Sequence, residues 1–404
     1  MKETSKALHA FLTLLLIIAA WGGYNFVLIM FVKGVGITGS SDLVPWGVFI
    51  VGFVFCVGTS AGASIIGLLI SGFGRDDYKP LGTRAILVGI LSLMSAVLFL
   101  LADVGNPFRT MLLPAVIRNP TSALVYTSMT YVLFGALLLG ELYYAVKITL
   151  SGGVGSDMEE KIAKVLAILA LLFALMVVHA PHGALFAFVS AREMWNTPLL
   201  PPHFVVVALA SGTAVMILVA IITSKINKSE LVGLETLSHM GQLLALFIII
   251  TLFLDFFDFV VMIYAGKPAG LEIWHLLTGR FAPLFIINTA GLFVAMLILL
   301  FKRGRTIKGL SMASSLTVIA IIAYRFNLII VAQTAPLFPG MGEIYYMPTV
   351  PEMAVVVGII AWALFLYIVL IKVLPLEETV PEPEIGPDID HRYQITVPTF
   401  RKPG

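Results

Sequence analysis

Long apolar runs separated by short polar punctuation set the pattern of this chain. A helix needs roughly 20 apolar residues to cross hydrocarbon, and runs of that order recur near 7–32, 46–73, 84–104, 121–147, 162–182, 203–224, 240–264, 276–301, 308–333 and 352–374. The pattern predicts an all-α polytopic membrane protein with about ten transmembrane helices. The first run is too long for the apolar region of a signal peptide and no small-residue cleavage site follows it, so it reads as a retained helix. After Pro375 the apolar pattern stops, and prolines and acids dominate LEETVPEPEIGPDIDHRYQITVPTFRKPG. The segment 376–404 is expected to be an extended tail. Its Tyr393, Ile395, Val397 and Phe400 either engage a partner's surface or stay free.

Composition narrows the class further. Of 404 residues, 59% are hydrophobic and 12% charged, and the mean hydropathy of +1.01 lies far outside the soluble range. The single cysteine, Cys56, cannot ligate an iron–sulfur cluster alone or close an internal disulfide. Any metal centre must then come from another chain. The net charge of +2 arises from basic residues scattered over short connections, which argues against nucleic acid. One set of helix ends carries fifteen Lys and Arg residues and the other six. The excess places the first set in the cytoplasm, with both termini inside, in a multi-pass protein of the cytoplasmic membrane.

This topology puts polar groups at one depth. Trp46 opens the second span, Asp103 closes the third, and His179 with His182 closes the fifth, all in the outer third of the membrane. Sequential antiparallel helices are expected to bring the carboxylate and the imidazoles into one pocket. Gly58, Thr59, Ser60, Ala61, Gly62 and Ala63 permit close helix approach, and the hydroxyls of Thr59 and Ser60 are also candidate ligand contacts. Asp255 and Asp258 share a face of the seventh span, and Arg325 with Asn327 lies at similar depth in the ninth. An Asp and an Arg there are expected to neutralise each other. Asp255, Asp258, Arg325 and Glu141 are proton-pathway candidates, with snorkelling toward the inner interface as the alternative for Glu141. The connections 105–120 and 183–202 are rich in prolines and apolar residues, suiting either a docking platform or re-entrant packing.

The chemistry these residues permit is limited. No Ser, His and acid arrangement or HExxH helix points to hydrolysis. The histidines of HAPHG at 179–183 lack the further ligands that zinc requires. A single haem on His179 with His203 or His275 stays open as an alternative. Quinone chemistry fits better. It moves two electrons and two protons, so it needs groups that bond the ring oxygens and exchange protons beside an apolar cleft. Asp103 can exchange the proton and His179 can orient the opposite ring oxygen. The electron carrier must then be extrinsic.

The chain resembles the NrfD and polysulfide-reductase membrane-subunit family, within it the ten-helix HybB- and DsrP-like branch. The resemblance is carried by PWGVFIVGFVFCVGTSAGA at 45–63, ADVGNPFR at 102–109, MVVHAPHGALF at 176–186, YRFN at 324–327 and YYMPTVPEMAVVVGIIAWALFLYIVLIKVLP at 345–375. It implies a transmembrane domain over 1–375 without its own haem or cluster, built as two four-helix bundles, about 46–182 and 203–333, plus flanking helices. It further implies menaquinone or a similar quinone near the outer surface and a docked ferredoxin-like iron–sulfur protein, with a cytoplasmic partner open to the tail. Carried over by motif, Asp103 is the quinone-site acid and His179 its neighbour, while Arg325 and Glu352 belong to the second bundle and the last helix; Trp46, Thr59, Ser60 and His182 are further candidate quinone contacts. Tyr126 stands where related chains carry a glutamate, and its phenol can still bond a quinone oxygen. A secondary transporter and a structural anchor without quinone turnover are the alternatives.

Overall fold

The computed structural model describes residues 6–105, 122–152, 155–227, 229–338, 341 and 344–374. Ten helices among them are long and apolar enough to span a membrane: α1 Lys6–Ile37, α2 Val48–Ser71, α3 Asp76–Val104, α4 Val125–Leu150, α5 Asp157–Ala187, α6 Leu200–Asn227, α7 Leu234–Tyr264, α8 Ala282–Leu300, α9 Ile307–Thr334 and α10 Val350–Val373. The protein is an all-α, multi-pass membrane protein. The tail 376–404 and nearly all of the connection 105–120 lie outside the described residues.

Local chemistry sets the helix ends. Ser156 and Glu159 form a capping box at the start of α5, and Thr349 with Glu352 does the same for α10, each pair satisfying backbone N–H groups that lack an intrahelical acceptor. Gly105, at φ 67°, ends α3 in the left-handed conformation that glycine adopts without steric penalty. The apolar run expected at 276–301 divides into a short helix, Pro268–Thr278, and α8.

Helices α2 to α5 pack around one another in sequence, and α6 to α9 do likewise. The two groups meet chiefly where α2 and the end of α5 lie on α6, while α1 pairs with α10, which also touches α3. Lipid is as apolar as leucine, so helices associate here by close packing and buried hydrogen bonds. Gly62 of α2 lies directly on Gly212 and the Ala208 carbonyl of α6, and Gly22 of α1 on Gly358 of α10, with no room for a Cβ at either point. Ser60 adds a 2.6 Å hydrogen bond to the Gly89 carbonyl of α3.

The end of the molecule at which α2 begins is called here the Trp46 face, and the opposite end the Arg75 face. With ten passes, α1 starts and α10 ends on the Arg75 face. There Arg75 holds Asp77 at 2.9 Å and meets His239 Nδ1 at 2.8 Å, while Thr236 donates to Asp77. This clamp joins the α2–α3 turn to the start of α7. The Asp77 partner holds the Arg75 guanidinium above its usual range.

One departure from the sequence pattern moves a site residue. The fifth span, expected to end at 182, runs on to Ala187. Pro181 does not stop it, because residues Ala174–His179 widen into a π-helical turn just before the proline. Such a turn relieves the clash of a proline ring with the preceding carbonyls.

Candidate functional site

Asp103 occupies the last turn of α3 on the Trp46 face. One turn deeper, Phe99 fills the space that Gly52 leaves on α2, and just beyond, Val35 at the end of α1 abuts Gly105. The Asp103 side chain is half-buried and lies within electrostatic reach of Glu352 in the first turn of α10. Among the described residues no group hydrogen-bonds its carboxylate.

Glu352 differs in every respect. It is fully buried and accepts from the Gly39 amide at 2.8 Å, the Thr349 amide at 2.7 Å and the Tyr346 hydroxyl at 3.0 Å. Tyr346 in turn accepts from the Val48 amide at 2.9 Å. Burial, with Glu352 beside it, pushes the Tyr346 phenol well above its ordinary range, which keeps it an O–H donor. Glu352 therefore ties together the α1–α2 connection, the first turn of α2 and the start of α10.

Trp46 stands further along the same rim. Its backbone exchanges two hydrogen bonds with the Gln333 side chain, at 3.1 and 2.9 Å. Its ring lies 5.5 Å from both Phe186 and Trp195. Arg192 donates to the carbonyls of Ala332, Gln333 and Ala335 at the end of α9. Burial lowers the Arg192 guanidinium from its usual range. These contacts hold the two helix groups together at the rim. Thr59 bonds the Phe55 carbonyl of its own helix, so the hydroxyls of Thr59 and Ser60 are both occupied by backbone oxygens. Tyr126 lies on the outside of α4, half-exposed to the layer where lipid belongs.

His179 is not beside Asp103. It packs against Gly58, ten residues into α2, about 15 Å below the level of Val48 at 1.5 Å per residue. The ring is fully buried, 6.1 Å from Phe204 and 6.2 Å from His182, and neither nitrogen has a hydrogen-bond partner. His182 is bonded by Tyr131 Oη and by the Val178 carbonyl at 2.7 Å, with Phe53 at 5.7 Å. The expectation that His179 stands level with Asp103 is thus corrected: α5 runs on past it to Ala187, and His179 packs below the rim. Tyr131 went unnoticed in the sequence, where the motif drew attention to Tyr126.

The second helix group holds a different cluster. His203 of α6 has Asp255 Oδ1 2.9 Å from Nε2, at ion-pairing distance but off the hydrogen-bond axis, and the Tyr324 hydroxyl 2.8 Å from Nδ1. These residues and Asp258 line a cavity of about 20 Å³, shared with Leu199, Leu254 and Phe259. Arg325 does not neutralise Asp255 directly, as the sequence suggested. Its guanidinium stacks 4.1 Å over Phe204 and 5.3 Å from the Tyr324 ring, with Nε and Nη1 unpartnered. Glu141 does not snorkel either: it is buried, with Oε1 turned toward Gly67 of α2 and Ala167 of α5 alongside. Among the described residues no group of three or more His, Cys, Asp or Glu could hold a metal ion.

The sequence profile of the family described as polysulphide reductase, NrfD, matches residues 36–336, from the end of α1 to the connection after α9. The chain belongs to the NrfD family. This NrfD chain is 27% identical over 385 residues to a selenate reductase subunit of Mesobacillus selenatarsenatis, covering 85% of the chain and 89% of that relative. It is 26% identical over 387 residues to the Hdr-like menaquinol oxidoreductase integral membrane subunit of Archaeoglobus fulgidus, covering 91% and 93%. To the menaquinone reductase integral membrane subunit of Nitratidesulfovibrio vulgaris it is 23% identical, covering 88% of each. The NrfD match contains Asp103, His179, His203 and Arg325 and stops short of α10, so Glu352 lies beyond it.

Proposed function

We propose that this chain is the quinone-exchanging membrane subunit of a respiratory redox complex, with Asp103 as the acid that exchanges protons with the quinone ring. The names of the A. fulgidus and N. vulgaris relatives, which specify menaquinol and menaquinone, support a menaquinone-type substrate. The observation that carries the assignment is the placement of Asp103. A carboxylate in the last turn of a helix faces the negative end of the helix dipole. Beside it stands a second carboxylate, Glu352, and among the described residues no donor bonds it. Among the described residues nothing in the packing favours an acid there, whereas proton exchange requires one whose oxygens are free.

The surroundings fit an amphipathic quinone. Val35 and Val104 are exposed beside Asp103 and offer apolar surface for an isoprenoid tail. A bound menaquinone supplies the two-electron chemistry, and Asp103 takes a proton from, or returns one to, a ring oxygen. His179 lies too deep to touch the same ring, and belongs to the sealed layer beneath the site. The excess of Lys and Arg at the other helix ends makes the Trp46 face the outer one. Because the lone Cys56 cannot hold a cluster, the electrons pass to or from a ferredoxin-like iron–sulfur subunit docked on that face. The acid- and proline-rich segment 376–404 offers a contact to a cytoplasmic partner.

Photolabelling tests the location. A menaquinone analogue with a photoreactive group on the ring, irradiated in the membrane-embedded complex, is expected to label the end of α3 and the start of α10. Labelling confined to the segment around His179 would overturn the placement.

A further inference from the structure

The turn between α8 and α9, on the Arg75 face, gathers positive charge that the protein does not balance. Lys302, Arg303, Arg305 and Lys308 fall within seven residues, and no Asp or Glu occurs anywhere between Glu272 and Glu343. The first turn of α9 holds no acid, so the positive end of its dipole adds to the cluster. Other connections on this face pair their cations locally: Arg75 with Asp77, Lys79 with Asp76 and Lys147 with Glu159. Among the described residues, none of the four cations of the α8–α9 turn has a carboxylate at ion-pairing distance. Membrane topology asks for an excess of Lys and Arg on a cytoplasmic face. It does not ask for cations packed together with no acid among them.

The cluster is carried on a tight turn with apolar flanks. A Cβ on Gly304 would run into the Ile298 carbonyl, and one on Gly309 into the Gly304 carbonyl. Thr306 caps α9 by accepting from the Gly309 amide at 3.1 Å. Arg305 is half-buried and donates to the Gln242 side-chain oxygen of α7 at 2.7 Å, with that amide oriented so that its oxygen faces the guanidinium. Lys302, Arg303 and Lys308 stay exposed. Directly beside them Phe301 is 66% exposed, and Leu300 and Ile307 are exposed as well. Cations and apolar surface therefore adjoin at a helix end, where lipid headgroups meet acyl chains.

We propose that this turn binds one anionic phospholipid of the inner leaflet, its phosphate held by Lys302, Arg303 and Lys308 and its acyl chains laid against Phe301 and Ile307. Basic residues clustered immediately beyond a membrane helix attract anionic headgroups, and a phospholipid supplies both the charge and the apolar cover that the turn lacks. The acid-rich stretch 376–390 of this chain complements the charge too, but acids and prolines dominate it and suit the apolar flank poorly. It also follows α10, which packs chiefly on α1 and α3. The site lies on the face opposite Asp103, so its test is independent of the quinone assignment.

The complex, purified in detergent and stripped of lipid, is titrated with phosphatidylglycerol while bound lipid is counted by native mass spectrometry. Lys302→Gln, Arg303→Gln and Lys308→Gln together should weaken binding on the order of 10²-fold, about fivefold per cation at the membrane surface, with the loss of one tightly held lipid per chain. Lys161→Gln with Lys164→Gln, which neutralises two exposed cations of α5 on the same face, should leave that lipid in place. Phosphatidylcholine should not fill the site, and glycerol 3-phosphate, which has the phosphate without the chains, should not displace the bound lipid. Equal retention in the triple variant and wild type, an equal loss in the α5 control, filling by phosphatidylcholine, or displacement by glycerol 3-phosphate would overturn the proposal. So would carbodiimide cross-links from Lys302 or Lys308 to an acid of 376–404 or of another subunit, because the occupant would then be protein.

Discussion

Asp103 and Glu352 are neighbouring acids at one end of the molecule, and they are opposites. Glu352 stands in the first turn of its helix, where the dipole favours a carboxylate, and accepts from Gly39, Thr349 and Tyr346. Asp103 stands in the last turn of its helix, half-buried, with no bonding partner among the described residues. The first acid is explained entirely by architecture. The second has no such partners among the described residues, and that difference separates a structural carboxylate from one available to a substrate. Hydropathy and spacing treat the two alike, since each is a single acid at the edge of an apolar run.

Removing the architectural acid should do the most damage. Glu352→Ala leaves the buried Tyr346 hydroxyl and the partly buried Gly39 and Thr349 amides without an acceptor, and a loss of roughly 3 kcal/mol is expected, measured as reduced thermal stability and yield of the solubilised complex. Tyr346→Phe removes one donor to Glu352 and the acceptor of the Val48 amide, and should cost about 1–2 kcal/mol by the same assay. Asp103→Asn should be the mildest, within about 0.5 kcal/mol of wild type, because its carboxylate has no hydrogen-bond partner among the described residues. A large loss of stability in Asp103→Asn, or none in Glu352→Ala, would erase the contrast.

Much of this was legible in the sequence, for definable reasons. The ten spans follow from apolar length, which a membrane imposes strictly, and their order put Asp103 at a helix end. The errors came from boundaries and partners. The fifth span was expected to end at 182, which set His179 level with Asp103; α5 runs on to Ala187, and the imidazole packs about 15 Å below the level of Val48. Asp255 and Arg325 were placed at matching depth, yet depth does not say which groups meet. His203 and Tyr324 stand between them, and no periodicity along one chain segment reports a contact between α6, α7 and α9. Thr59 and Ser60 had the right chemistry for a ligand but face backbone carbonyls.

Quinone-linked electron transfer in Asp103→Asn, assayed in membranes with the assembled complex, tests the central claim most directly. The carboxamide preserves shape but cannot exchange a proton, so a fall on the order of 10²-fold or more is expected, with wild-type levels of assembled protein. Turnover near the wild-type rate in that variant would contradict the assignment of Asp103 as the quinone acid.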